Sequence, residues 1–213
     1  MRFIFVFFIF LLFPLNLSYA DKVDVFVFTE EEKETLKVRK IKKKTNYTLG
    51  SNENGNYLKA EAEGVASGLG IEKKINLLKT PYINITWKVE KDLSGIDELS
   101  KKGHDYAARV FVIKKTGSTA LSNRAINYVF SSNEPINKFW KSPFTKKSTD
   151  YVLSTTINNF DEWVTVKANV REDFKKIYNL DVDEIDGVAL MTDTDNSKKL
   201  AIAYYQNIYF SAN

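Results

Sequence analysis

Glu184-Ile-Asp-Gly-Val-Ala-Leu-Met-Thr-Asp-Thr-Asp-Asn-Ser197 runs from an apolar strand straight into a cluster of Thr, Asp and Asn. A second strand pattern follows at once, Leu200-Ala-Ile-Ala-Tyr-Tyr-Gln-Asn-Ile-Tyr-Phe210. Two apolar strands joined through a carboxylate-rich turn point to a β-rich body. The end of a buried strand is also where a fold presents its polar groups.

The pattern repeats outward in both directions. Asp21 to Phe28, Tyr57 to Glu63, Tyr82 to Glu90, Ala107 to Lys114, Ala125 to Phe130, Tyr151 to Thr156 and Trp163 to Ala168 read as strands. Ile83, Ile85 and Trp87 share one face of theirs, and Asn84, Thr86 and Lys88 the other. Trp163 is expected in the core with Trp87. Leu36, Val38 and Ile41 suggest an edge strand, and Asn54-Gly55 a hairpin turn. Lys73 to Leu78 is read as a further strand. Thr29 to Glu32 has the spacing of a capping box, but its charges read as a loop. Ser131 to Lys147, with Trp140 between two prolines, reads as irregular. Val170 to Asn179 is the one convincing helix, with Asn169 as its N-cap. Many short strands, one short helix and no βαβ alternation make an all-β sandwich.

Residues 1–20 stand apart. Arg2 is the single charge, Phe3 to Phe13 is unbroken apolar sequence, and Ser18-Tyr-Ala20 offers small residues. That is the pattern of a secretory signal peptide with cleavage after Ala20, leaving one domain over residues 21–213. The apolar run is shorter than the roughly 20 residues of a spanning helix. No other stretch is long and apolar enough to span, so the mature chain is expected to be secreted or periplasmic. The chain has no cysteine, which excludes disulfides and a lipid anchor on a cleavage-site cysteine.

Net charge is +4, or +3 without Arg2, with the basic residues concentrated between Lys33 and Lys44. No aromatics interleave them, as single-strand nucleic-acid binding would want. A solvated, aggregation-resistant edge strand explains them, and no nucleic-acid partner is expected.

Candidate chemistry gathers on few residues. His104 is the single histidine. A Gly-x-Ser-x-Gly turn is absent, and one histidine without sulfur is a poor zinc set, so His104 reads as a loop residue and no catalytic residue is assigned. Asp193 and Asp195, two apart on an extended segment, point the same way at a spacing of roughly 6.5–7 Å. Three readings stay open for them. With Asn196 they hold a ligand or a metal, calcium being the fitting ion for oxygen donors. They act as an acid–base pair on a glycosidic bond. Or they bond turn amides and cap the hairpin. Asp105 and Arg109 could share a site with them. Trp140 is the candidate for an exposed platform against the apolar face of a sugar ring, and Tyr205 a candidate contact beside Tyr204.

Thr192-Asp-Thr-Asp-Asn196 with Tyr204-Tyr205 and Asn207-Ile208 resembles the C-terminal signature of the bacterial family known as domain of unknown function 3047. Glu61 to Leu69, Thr86 to Val89, Gly103 to Val110, Ala125 to Val129, Trp140 with Pro143-Phe144, and Asn169-Val170 with Asp173-Phe174 carry the rest of the likeness. His104 stands where that family usually has Asp. The resemblance implies a secreted or periplasmic jelly-roll-type antiparallel β-sandwich, galactose-binding-like. It brings no catalytic residues. Binding of a carbohydrate or cell-envelope component without catalysis is therefore the leading expectation. An envelope-polymer hydrolase and a purely structural or interaction module are the alternatives.

Overall fold

A computed structural model describes residues 21–119 and 122–213. The expected signal peptide lies outside the described residues. In chain order the elements are β1 (Lys22–Phe26), α1 (Glu30–Thr35), β2 (Lys37–Lys42), β3 (Asn46–Asn52), β4 (Gly55–Glu63), β5 (Ala66–Ile71), β6 (Ile75–Asn76), β7 (Tyr82–Lys91) and β8 (Tyr106–Lys114). Then come β9 (Arg124–Ser131), β10 (Phe139–Ser142), β11 (Thr145–Thr155), β12 (Val164–Asn169), α2 (Val170–Tyr178), β13 (Glu184–Ile185), β14 (Gly187–Asp193) and β15 (Leu200–Ser211).

Two sheets pack face to face. One has the order β12-β7-β15-β4-β3, with β1 also paired to β15. The other has the order β10-β11-β9-β8-β14-β5-β2. Among the described residues β9 and β11 run parallel, and the other strand pairs are antiparallel. The architecture is the antiparallel β-sandwich expected. Side-chain alternation builds the core between the layers. Ile83, Ile85, Trp87 and Val89 of β7 point inward and are fully buried, as are Ala108, Val110 and Val112 of β8. Trp87 Nε1 also finds a partner there, donating to Ser154 Oγ at 2.8 Å.

Central strands carry the hydrogen-bonding load. β14 pairs with β5 on one side and β8 on the other. β15 pairs with β7 along one side. Along the other side it pairs with β4 through Gln206, then with β1 from Ile208. Asn207, at φ 49°, makes the irregularity where the partner changes. One cross-sheet contact joins the two central strands. The Tyr205 hydroxyl lies 2.7 Å from the Met191 carbonyl and 2.9 Å from Thr192 Oγ1.

Several local readings change. Thr29 does cap a helix: its Oγ1 accepts from the Glu32 amide at 3.2 Å, and the Glu32 carboxylate returns to the Phe28 amide at 2.7 Å. The reciprocal bonds hold a short helix where the charges suggested a loop. Lys73 to Leu78 contributes a strand of two residues. The segment with Trp140 is not irregular throughout, because Phe139–Ser142 pairs with β11 as an edge hairpin. Trp163 lies outside the core, 36% exposed, against Tyr57 and Tyr204 on the outer face of its sheet. The α2 helix is as read, with Asn169 Oδ1 accepting from the Glu172 amide at 3.2 Å. No described helix is long and apolar enough to cross a membrane.

Trp87 is the largest side chain with no exposure. Trp87→Ala should lower unfolding free energy by about 3–5 kcal/mol, read from urea denaturation followed by far-UV circular dichroism.

Candidate functional site

The outer face of the seven-stranded sheet holds a groove of about 700 Å³. Its floor follows from alternation. Arg109, Phe111 and Ile113 of β8 point away from the core, and so do Ala189, Met191 and Asp193 of β14. On β5 the outward positions are Gly68 and Gly70, where a Cβ would stand 3.0 Å from the Leu190 carbonyl oxygen and 3.1 Å from the Ala189 Cβ. These glycines keep the floor low. Glycines in such a segment serve a chain reversal or a close backbone approach; the reversal is at Gly64, with its φ of 62°, and the close approach at Gly68 and Gly70. Lys37, Arg39 and Ile41 of β2 form one rim, and Phe144, in the β10–β11 turn, stands on the other.

One end of the groove is polar. Arg109 donates to Asp193 Oδ2 at 2.7 Å, both side chains being buried. Asp105, also buried, takes three donors from the β14–β15 turn. Its Oδ1 accepts from the Asn196 amide (3.2 Å) and Asn196 Nδ2 (2.8 Å), and its Oδ2 from the Ser197 amide (2.5 Å). Asp105, Asp193 and Asp195 each place a carboxylate oxygen within 4.8 Å of the others. Asp195 is half-exposed, and among the described residues no side chain bonds its carboxylate. Burial pushes the Asp193 carboxyl up to about 7, against the pull of Arg109 and with the help of Asp105 and Asp195. Burial draws Arg109 down, but the carboxylates of Asp193 and Asp150 more than offset it, and the guanidinium stays charged.

His104 and Asp150 complete this end. His104 Nε2 lies 2.8 Å from Asp150 Oδ2, and Asn127 Nδ2 donates to Asp150 Oδ1 at 2.8 Å. The imidazole sits edge-on between Tyr106 and Phe144. Four buried polar atoms here have no partner within the protein: Tyr106 Oη, Arg109 Nε, Asn127 Oδ1 and Asp193 Oδ1. Leaving such groups unpaired costs on the order of 1–3 kcal/mol each.

Five of the residues singled out from the sequence meet here: Asp105, Arg109, Asp193, Asp195 and Asn196. Two do not. Tyr205 is fully buried, because alternation turns it inward and its hydroxyl ties the sheets together, so it offers nothing to a ligand in the groove. Trp140 packs on Tyr106, Val129 and Val152 and does not line the groove. Its place as the exposed aromatic passes to Phe144, which is 57% exposed. Asn127 and Asp150 were missed, since a strand pattern marks neither. The turn amides go to Asp105, not to Asp193 or Asp195 as the turn-capping reading of the Asp-rich segment has it.

The family model described as "Protein of unknown function (DUF3047)" matches residues 31–209. This chain belongs to that family. The match begins well before Tyr57, where the likeness read from the sequence starts. Comparison with curated proteins finds no match. The fold is similar to that of a family 30 carbohydrate-binding module from a cellulosomal cellulase of Clostridium thermocellum, at 8% identity and TM-score 0.51, over 90% of this chain and 98% of that one. Weaker likenesses include a family 29 carbohydrate-binding module, at 10% identity and TM-score 0.44 over 91% and 93% of the two chains. Another is a xyloglucanase domain from Sinorhizobium fredii, at 11% identity and TM-score 0.43 over 83% and 92%.

The two aspartates at this end differ in what they hold. Asp105→Ala should destabilise the fold by about 1–3 kcal/mol, because it releases three donors of the β14–β15 turn. Asp195→Ala should stay within about 0.5 kcal/mol of wild type in thermal unfolding without added divalent ions.

Proposed function

We propose that the chain is an exported, non-catalytic glycan-binding protein whose ligand lies along the groove of the seven-stranded sheet. The observation that carries this reading is the set of buried, unpartnered polar atoms in groove-lining residues: Arg109 Nε, Asn127 Oδ1 and Asp193 Oδ1. One is a donor and two are acceptors. A sugar hydroxyl accepts and donates at once, so neighbouring hydroxyls of one ring suit such a mixed set. The central floor is apolar, through Phe111, Ile113, Ala189 and Met191, and Phe144 stands over it. Aliphatic ring faces against aromatic and methyl groups, with hydroxyls on a few fixed polar atoms, is the usual composition of a small-ligand site. The likeness to a carbohydrate-binding module of matching length supports the same reading, and the signal-peptide pattern of residues 1–20 agrees with ligands outside the cytoplasm.

The raised Asp193 carboxyl beside Asp195 favours a second reading, acid–base cleavage of an envelope polymer. The Arg109 and Asp105 bonds argue against it, because Arg109 holds one oxygen of Asp193 and the β14–β15 turn holds both oxygens of Asp105.

The test is a glycan array together with affinity electrophoresis in soluble β-glucans and peptidoglycan fragments, comparing wild type, Phe144→Ala and Asn127→Ala. Wild type should be retained by at least one glycan, and each variant should lose about tenfold in affinity, as loss of about 1.4 kcal/mol implies. Absence of retention on every glycan, or equal retention of all three proteins, would overturn the proposal. Release of product from a polymer by wild type, lost in Asp193→Asn, would establish the hydrolase instead.

A further inference from the structure

We infer that Asp105, Asp193 and Asp195 form a calcium site at the polar end of the groove. Acidic clusters on a surface are common, but two of these three carboxylates are buried, Asp105 completely and Asp193 to 2% exposure. Their oxygens lie within 4.8 Å of one another and of an oxygen of Asp195. Three oxygens spread evenly at that limit stand about 2.8 Å from their centre, a few tenths of an ångström beyond the 2.3–2.6 Å at which calcium holds its oxygen ligands, so a small inward turn of the half-exposed Asp195 lets one ion reach all three. The second, independent observation is an orphaned atom. Asp193 gives Oδ2 to Arg109 and keeps Oδ1 buried without a partner within the protein. A buried carboxylate oxygen without a hydrogen-bond partner within the protein calls for an ion or a water.

Charge points the same way. With all three carboxylates ionised, as a bound cation holds them, the Arg109 guanidinium leaves two negative charges, which one divalent ion balances. Lys198 turns its ammonium to the main-chain oxygen of Asp195 rather than to the carboxylate. The donors are all oxygen and include no sulfur or imidazole, which selects a hard cation over zinc. Asp195 is half-exposed and faces the groove, so the remaining coordination positions open to water. Calcium accepts such an irregular, partly hydrated set, whereas magnesium demands near-octahedral geometry. Asp105 would give the ion further leverage, because the same carboxylate holds the β14–β15 turn through Asn196 and Ser197. The site stands whether or not the groove takes a glycan.

The experiment titrates calcium chloride into chelator-treated protein by isothermal calorimetry and follows thermal unfolding over the same range. Wild type should bind one calcium per chain and unfold at a higher temperature with it. Asp195→Asn removes one ligand charge from a half-exposed position without a hydrogen-bond partner, so it should fold as wild type. It should bind calcium at least about tenfold more weakly, as loss of a ligand charge does. Absence of calcium heat together with an unchanged melting temperature in wild type would overturn the inference. Equal calcium affinity in wild type and Asp195→Asn, or tighter binding of magnesium than of calcium, would overturn it as well.

Discussion

The Arg109–Asp193 ion pair is the constraint around which the groove is arranged. Both residues occupy outward positions on neighbouring strands of an antiparallel sheet, where solvent would normally satisfy them. Here both are buried, so each depends on the other. Removing one partner from such a pair strands the other charge, at a cost of about 3–5 kcal/mol. The surroundings meet the rest of the demand unevenly. Tyr106 and Phe111 present their rings to the guanidinium at 5.2 and 5.1 Å. The Met191 sulfur also receives an Arg109 N–H at 2.9 Å. Neither supplies a partner for Arg109 Nε or Asp193 Oδ1, and that incompleteness is what gives the groove its chemical character.

The fold class was legible because short apolar strands recur along the chain without βαβ alternation, alternating in β7 and nearly continuous in β8 and β14. The site was half legible for the same reason. Asp193 and Asp195 stand out at the end of an apolar strand, and Asp105 and Arg109 flank the start of another. What joins them is register: Asp193 lies opposite Tyr106 across the β14–β8 pair, and a single sequence carries no record of register. Asn127 and Asp150 stayed hidden because their meeting with His104 depends on the parallel pairing of β9 and β11. The sequence reading had no ground to place those strands side by side.

Trp163 precedes β12 by one residue and shares the outward phase of Thr165 and Lys167, opposite to Val164, Val166 and Ala168. It joins Tyr57 and Tyr204 in a cluster with centroids 5.6–6.0 Å apart on the far side of the molecule. Lys88 lies 4.7 Å over the Tyr204 ring, and Tyr204 donates to Glu90 at 2.5 Å. That face is a closed arrangement of rings and charges that satisfy one another. The opposite face keeps glycines, small apolar side chains and open polar atoms. The two outer surfaces of one sandwich therefore have different physical roles, although both strand sets follow the same period.

The placement of β14 and β15 bears on how the chain is assembled. Each is an interior strand of its own layer, paired on both sides, and both are made only after every strand they pair with. Until residues 187–211 have left the ribosome, or have crossed a membrane, β4, β5, β7 and β8 each wait with a bare hydrogen-bonding edge. Neither layer can close before these strands arrive, and the pairings they make are long-range, which slows folding. The lysine-rich β2 and the polar turns are then a safeguard for the nascent state, keeping open edges soluble during the interval before the final strands arrive.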